Sequence, residues 1–266
     1  MRQLGVVGLV SLDRVDGGVP RLGGAPFYAA KALRLLGHPA LIATKIAPED
    51  SGRGLHAFGI PVYSRPAERT ITFRIENDGD HRTMEIEELG EPWTPEDARG
   101  WLDDALRPAD WLHAGALTRA DFPAETLALL HRGRVLSYEG QGLVRPAEKG
   151  EVRVDADYDP EVLRHVSVLK LAEDEARTLV GEPTEDALRS LGVSEVLVTL
   201  GSRGSLVLAE GRITAVPART VDGDPTGAGD AFSAAYLVAR ASGHAPVAAA
   251  RRATALVAGL LGRRLT

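Results

Sequence analysis

Cysteine is absent from the 266 residues, which excludes disulfides and thiolate-bound metals. There is no basic excess either. The formal net charge is −6, and the basic residues are scattered apart from short pairs such as Arg251-Arg252 and Arg263-Arg264, which read as solvated helix ends. That balance argues against a nucleic-acid partner. No apolar run is long enough to span a bilayer, and Met1-Arg2-Gln3-Leu4 enters an apolar stretch without a signal-peptide pattern. These absences predict a cytosolic protein with no membrane partner. Aromatic residues make up only 5% of the chain, so a core must come from Leu, Val and Ala. Two nucleotide motifs are missing as well. Gly8-Leu9-Val10-Ser11 stands where a dinucleotide G-x-G-x-x-G would follow the first strand, and no P-loop occurs. The seven histidines are dispersed without a metal-ligand spacing, which speaks against a zinc hydrolase.

What is present is an alternation of short apolar runs with helical patterns. Leu4 to Val10, Ala40 to Ala43, Val135 to Tyr138, Val166 to Leu171 and Val196 to Leu200 read as buried strands of a parallel sheet. Pro26 opens a helix that Gly37 closes. Thr94-Pro95-Glu96-Asp97 has a cap, a first-turn proline and an acidic first turn, and Asp159-Pro160-Glu161 repeats the theme. The pattern predicts a doubly wound, mostly parallel α/β fold over residues 1–266 as one domain.

One stretch alternates with period two. Ile71, Phe73 and Ile75, then Met84 and Ile86, flank the turn residues Asn77-Asp78-Gly79-Asp80, which predicts a hairpin with one apolar face. That face has to pack on the main domain, on a second subunit, or over a ligand. We expect a small β-hairpin lid built from about 14–22 and 62–88, closing over a bound ligand and excluding water; its apolar face suits a homodimer through the lid. A second hairpin, Ser205 to Leu208 and Arg212 to Val216, is expected at an edge of the main sheet.

The chemistry concentrates in Asp224-Pro225-Thr226-Gly227-Ala228-Gly229-Asp230, which opens a helix with Phe232, Tyr236 and Ala239 on one face. Side-chain-free amides at a helix start cradle an anion. An acid at the same place would repel a phosphate, and makes sense as a base that takes a proton from an attacking hydroxyl. The plainer reading is a helix capped by Thr226 or Asp224 with glycines in a tight turn.

The segment resembles the C-terminal signature D-T-x-G-A-G-D of the ribokinase family, also called the phosphofructokinase-B family of carbohydrate kinases. The resemblance implies a ribokinase-like fold and γ-phosphoryl transfer from ATP, with Mg2+, to a hydroxyl of a sugar, inositol or nucleoside. It implies Asp230 as catalytic base, Gly227, Ala228 and Gly229 as the anion hole, and Asp224 near a monovalent-cation site. Val198-Thr199-Leu200-Gly201-Ser202-Arg203-Gly204 is similar to the strand and turn lining the donor phosphates, which points to Thr199, Gly201 and Gly204; by itself it is equally a strand-to-hairpin turn. Asp13 and the pair Gly23-Gly24 resemble the acceptor contacts, although an Asp after a strand is usually a turn former. Glu139-Gly140-Gln141-Gly142-Leu143-Val144-Arg145 is similar to a D-x-Q-G-x-x-R stretch, read either as a polar site wall or as an ordinary loop.

The departures are specific. In the family's N-x-x-E motif, which tunes magnesium and phosphate, Glu175 fits the acidic position but Ala172 replaces Asn. Tyr28 stands where an Asn contacts the sugar in ribokinase-like members. The Asp-Pro-Thr form of the signature, Ala172 and Lys45-Ile46 resemble the inositol-kinase branch. A catalytically degenerate sugar or nucleoside sensor is the alternative function.

Overall fold

A computed structural model describes residues 3–54, 59–78, 81–221 and 225–262. The first seven strands are β1 (Gln3–Gly8), β2 (Ser11–Val15), β3 (Arg21–Gly23), β4 (Ala40–Ile46), β5 (Val62–Pro66), β6 (Ile71–Asp78) and β7 (His81–Glu88). They are followed by β8 (Ala109–Gly115), β9 (Val135–Glu139), β10 (Gly150–Glu151), β11 (Val168–Ala172), β12 (Glu195–Thr199), β13 (Ser205–Ala209) and β14 (Arg212–Val216). Nine of them form one sheet in the order β14-β13-β12-β11-β9-β8-β1-β4-β5. Pairing is parallel from β12 to β5, and antiparallel at the β13 and β14 edge. The second hairpin therefore lies at the edge of the main sheet, as its position in the sequence predicted.

Helices cover both faces of this sheet, as near-continuous apolar strands require. On one face lie α1 (Gly24–Leu36) and two later helices, packed on Leu4, Val6, Ile42, Trp111, Val168 and Leu197. The opposite face takes α2 (Pro95–Arg99), α3 (Trp101–Leu106), α4 (Ala124–His131), α5 (Gln141–Val144), α6 (Glu173–Val180) and α7 (Glu185–Arg189), against Val7, Leu112, Leu136, Leu169 and Leu171. Leu4 and Val6 face one way and Val7 the other, which is the two-residue period of a strand. The two later helices are α8 (Ala228–Ala241) and α9 (Pro246–Gly262). Helix ends follow the sequence signals. Gly37 ends α1 at φ 60°, and Thr94 opens α2 with a reciprocal capping box to Asp97. Asp159-Pro160-Glu161 begins a 3-10 turn and not an α-helix.

The second sheet has the order β10-β7-β6-β2-β3, and it corrects three expectations. The apolar run from Leu4 to Val10 is not one strand: the chain leaves the large sheet after Gly8 and re-enters a strand at Ser11, so Asp13 lies within β2. Residues 62–66 do not belong with the hairpin, because β5 pairs with β4 at the edge of the large sheet. The hairpin is instead joined by β2, β3 and β10. Finally, Ile71, Phe73, Ile75 and Ile86 are at most 3% exposed, packed with Val7, Leu9, Trp93 and Phe122 of the main core. Their apolar face is thus covered by the chain itself. The other strand faces carry ion pairs, among them Arg14–Glu87 at 3.6 Å, Lys149–Glu88 at 2.9 Å and Arg74–Glu85, which add little stability but keep that surface polar. Among the described residues no helix is long and apolar enough to cross a membrane.

Candidate active site

The first turn of α8 is the centre of the site. Gly227 is its N-cap at φ 76°, so the N-cap position itself carries no capping side chain. A β-carbon on Gly227 would lie 2.0 Å from the Tyr28 ring, and one on Gly229 would lie 2.6 Å from Lys170 Nζ. Glycine is needed at both positions because an aromatic ring and an ammonium approach the backbone from two sides. Of the opening amides of α8, that of Ala228 donates to the Pro225 carbonyl at 2.9 Å, the others have no partner within the helix, and the helix start presents partial positive charge.

Beneath that turn the large sheet is polar. His113 is the register partner of Ser137, and Lys170 that of Glu139, so His113, Glu139 and Lys170 extend toward the carboxyl ends the rows that Trp111, Val135 and Val168 begin on the α8 side. From the helix, Asp230 and Ser233, three residues apart, face the same way. The Ser233 hydroxyl donates to Glu139 Oε1 at 2.5 Å. Lys170 Nζ lies 3.1 Å from Oε2 and His113 Nε2 lies 3.4 Å from Oε1. His113, Glu139, Lys170 and Ser233 are all buried.

Each titratable group responds to this setting. Burial pushes the Asp230 carboxyl up, nearby Glu139 adds to the rise, Lys170 opposes it, and Asp13 and Glu175 add to it; the result is about 7. As a residue Asp230 is partly exposed at the start of the helix. Burial would also raise Glu139, but the Lys170 ammonium and the His113 and Ser233 contacts outweigh it and hold that carboxyl below the usual range. Burial alone would depress Lys170, yet Glu139, Glu175 and Asp230 together raise it above an ordinary lysine. Burial keeps His113 neutral.

Two regions meet at this turn. On one side is a cleft of about 370 Å³ lined by Thr199, Gly201, Gly204, Ala228 and Gly229, with a largely apolar far wall from Val221, Phe232, Val257 and Leu261. On the other, Asp13 is 8% exposed and accepts a hydrogen bond from Ser11 Oγ at 2.7 Å. A β-carbon on Gly23 would fall 2.1 Å from Asp13 Oδ2, and one on Gly24, at φ 80°, would fall 2.5 Å from the Leu9 carbonyl. The glycine pair lets the start of α1 close over β2.

Glu175 lies on α6 behind Lys170. Its Oε2 accepts the Ala172 N–H at 2.7 Å, which is half of a capping box; Ala172, lacking a side-chain oxygen, cannot supply the other half. Oε1 makes no hydrogen bond among the described residues, and burial raises this carboxyl. One free oxygen suits a water-mediated contact to a hard cation better than a direct cage. Asp224 lies outside the described residues.

Sequence reasoning left Lys170 and His113 unnoticed, and left Glu139 open as wall or loop. Glu139 in fact ends β9 at 1% exposure. The signal was available: a charged or imidazole residue late in an otherwise apolar strand run is a buried polar group that must be paired. Lys45 reads differently. Its Nζ bonds Asp97 at 2.7 Å and the Pro92 carbonyl at 2.9 Å, a tie within the core.

Comparison with known proteins agrees with this arrangement. Residues 8–264 match the model of the pfkB family of carbohydrate kinases. A 103-residue segment is 37% identical to a ribokinase of Arabidopsis thaliana, over 34% of this chain and 27% of that protein. Among solved structures, a pyrophosphate-dependent kinase of the ribokinase family, complexed with a pyrophosphate analog and myo-inositol, is 26% identical. Its TM-score is 0.84, over 97% of this chain and 94% of that one. The Arabidopsis thaliana ribokinase complexed with ribose and ATP shares the fold at a TM-score of 0.74 and 20% identity, covering 98% and 92%. With the glycine turn, the acid behind it and the sheet topology all in place, this chain belongs to the pfkB family of carbohydrate kinases.

Proposed function

We infer that this protein transfers the γ-phosphoryl group of ATP to a hydroxyl of a small, uncharged polyol, with Asp230 as general base. The observation that carries the reading is the place of Asp230, at the turn shared by the apolar-walled cleft and the Asp13 region. In this mechanism Asp13 accepts hydrogen bonds from acceptor hydroxyls, and Gly23 and Gly24 let the backbone close on the same molecule. Asp230, ionised, takes the proton of the attacking hydroxyl. The amides of Gly227, Ala228 and Gly229 hold the oxygens of the moving phosphoryl group. Thr199, Gly201 and Gly204 hold the rest of the donor. Mg2+, when bound, would supply charge neutralisation on the donor phosphates, and Glu175 is the residue that would help hold it. Asp224 remains the proposed neighbour of a monovalent cation. The second sheet, in which the hairpin of β6 and β7 stands beside the Asp13 strand β2, would screen the acceptor from water.

The donor has a second reading, because the relative with pyrophosphate and myo-inositol covers nearly the whole chain. The apolar wall of Val221, Phe232, Val257 and Leu261 favours a nucleotide, since pyrophosphate offers nothing to bury against it. The acceptor in that relative, myo-inositol, is a polyol of the class that Asp13 suits. The deciding experiment crosses ATP and pyrophosphate with sugars, inositols and nucleosides in the presence of Mg2+. Transfer from ATP to a polyol is expected; transfer from pyrophosphate alone would overturn the donor, and tight polyol binding without transfer from either would leave a sensor.

Asp13→Ala should weaken apparent acceptor affinity at least ~tenfold, because charge-assisted hydrogen bonds contribute roughly 1.5–3 kcal/mol each. The donor constant should hardly change. An equal loss for both, in a folded protein, would dissolve the proposed division of the cleft.

A further inference from the structure

The phosphoryl-transfer reading assigns no direct role to the polar row under α8, and one of its groups stands apart. His113 is 0% exposed, and neither of its ring nitrogens makes a hydrogen bond. Glu139 Oε1, 3.4 Å from Nε2, is a charged neighbour without hydrogen-bond geometry, and an imidazole sealed in a protein without a hydrogen bond is costly unless something occupies its lone pair. It faces a specific place: one donor atom each from His113, Glu139 and Asp230 lie within 4.8 Å of one another.

We propose that His113, Glu139 and Asp230 form a binding site for a divalent transition cation of the zinc class, and that its occupancy inhibits the enzyme. The geometry is close to what such an ion needs. Zinc bonds of about 2.0–2.1 Å in a tetrahedral site put neighbouring ligands roughly 3.4 Å apart, and His113 Nε2 already stands 3.4 Å from Glu139 Oε1. Asp230, whose carboxylate lies within 4.8 Å of both other ligand atoms, would supply the third ligand on closing that distance, and a water would complete the four. Ser233, which donates to Glu139 Oε1, would orient that carboxylate from behind, in the way outer hydrogen bonds commonly hold ligands.

Selectivity follows from the donor set. Magnesium and calcium favour oxygen ligands, whereas an imidazole nitrogen with two carboxylates suits zinc, cobalt or nickel. The site is therefore separate in chemistry from the one proposed for Mg2+. Lys170 is the main opposing charge. Its ammonium stands on the Oε2 side of Glu139, 3.1 Å away, while His113 and Ser233 face Oε1. Glu175 and Glu139 offset it. Burial also favours the neutral imidazole that a metal requires.

Inhibition rests on the reading of Asp230 as base, because a carboxylate bound to a dication cannot take a proton from the acceptor. Binding does not rest on it. The test is a titration of the chelator-treated full chain with Co2+, without ATP or Mg2+, followed by visible absorption and displacement by Zn2+. One ion per chain with the spectrum of a four-coordinate nitrogen and oxygen site is expected. His113→Gln should lower its affinity at least ~10-fold. Should that variant misfold, Glu139→Gln serves in its place, and X-ray absorption of the zinc-loaded wild type should show one imidazole ligand. No bound ion, or binding undiminished in both variants, overturns the site. In parallel, Zn2+ should inhibit transfer in the wild type and inhibit His113→Gln far less. If the ion binds through His113 and transfer continues unimpaired, the inhibition falls together with the role of Asp230 as base, and the metal site stands.

Discussion

Replacing Asp230 by Asn is expected to reduce kcat/KM for the acceptor by ~100- to 10,000-fold, with donor binding retained. The loss should carry a pH signature. In the wild type the base is active only when ionised, and its carboxyl is pushed up to about 7 by burial and by Glu139. kcat/KM should therefore rise with pH through about 7 and level off above it. The variant, without this group, should show no such limb. Stability should move the opposite way. An ordinary aspartate ionises near 3.8, so between that value and about 7 the unfolded chain has lost a proton that the folded one keeps. Stability is then lost as pH rises through this window, and the gain in denaturant midpoint of the Asn variant over the wild type should be larger at pH 8 than at pH 5. A variant that retained half of the wild-type turnover, or a wild-type profile flat from pH 5 to 8, would remove Asp230 from the chemistry.

The largest structural effect should come from Lys170→Met. The shape is nearly kept, but Glu139, at 1% exposure, loses the ammonium 3.1 Å from its Oε2. Removing one partner of a buried ion pair costs roughly 3–5 kcal/mol, much of it the desolvation of the charge left behind. Equilibrium denaturation should show this loss. Adding Glu139→Gln should recover a good part of it, because the carboxylate closest to the lost ammonium is then no longer a buried unpaired charge, and the two costs should fall well short of adding. Kinetics give a second readout. Lys170 lowers the Asp230 carboxyl, so without it the acid limb of kcat/KM should move to higher pH. A cost below about 1 kcal/mol would mean that water reaches this pair and that the network is not a closed one.

The elements legible in the sequence were those set by local periodicity and local chemistry. Alternation with period two placed Ile71, Phe73, Ile75 and Ile86 on one face, and Gly37 and Thr94 marked helix ends, because these depend on neighbours a few residues away. The start of α8 was legible for the same reason: Gly227 to Asp230 combine a side-chain-free turn with an acid in the first helical turn. What covers the hairpin was a different matter. Three occupants fitted the pattern, and the main core filled the place. Nor did the run from Leu4 to Val10 reveal that the chain changes sheets after Gly8, since apolar composition is the same on either side of the break. His113, Glu139 and Lys170 stand far apart in the chain and were apolar-strand residues of the wrong type until the register of β8, β9 and β11 set them on one face beneath Asp230. By itself the sequence determined which helix start carries the acid and the glycine turn. The tertiary structure decided what charge surrounds that acid, because burial and the Coulomb fields of residues distant in the chain act through space and leave no local pattern.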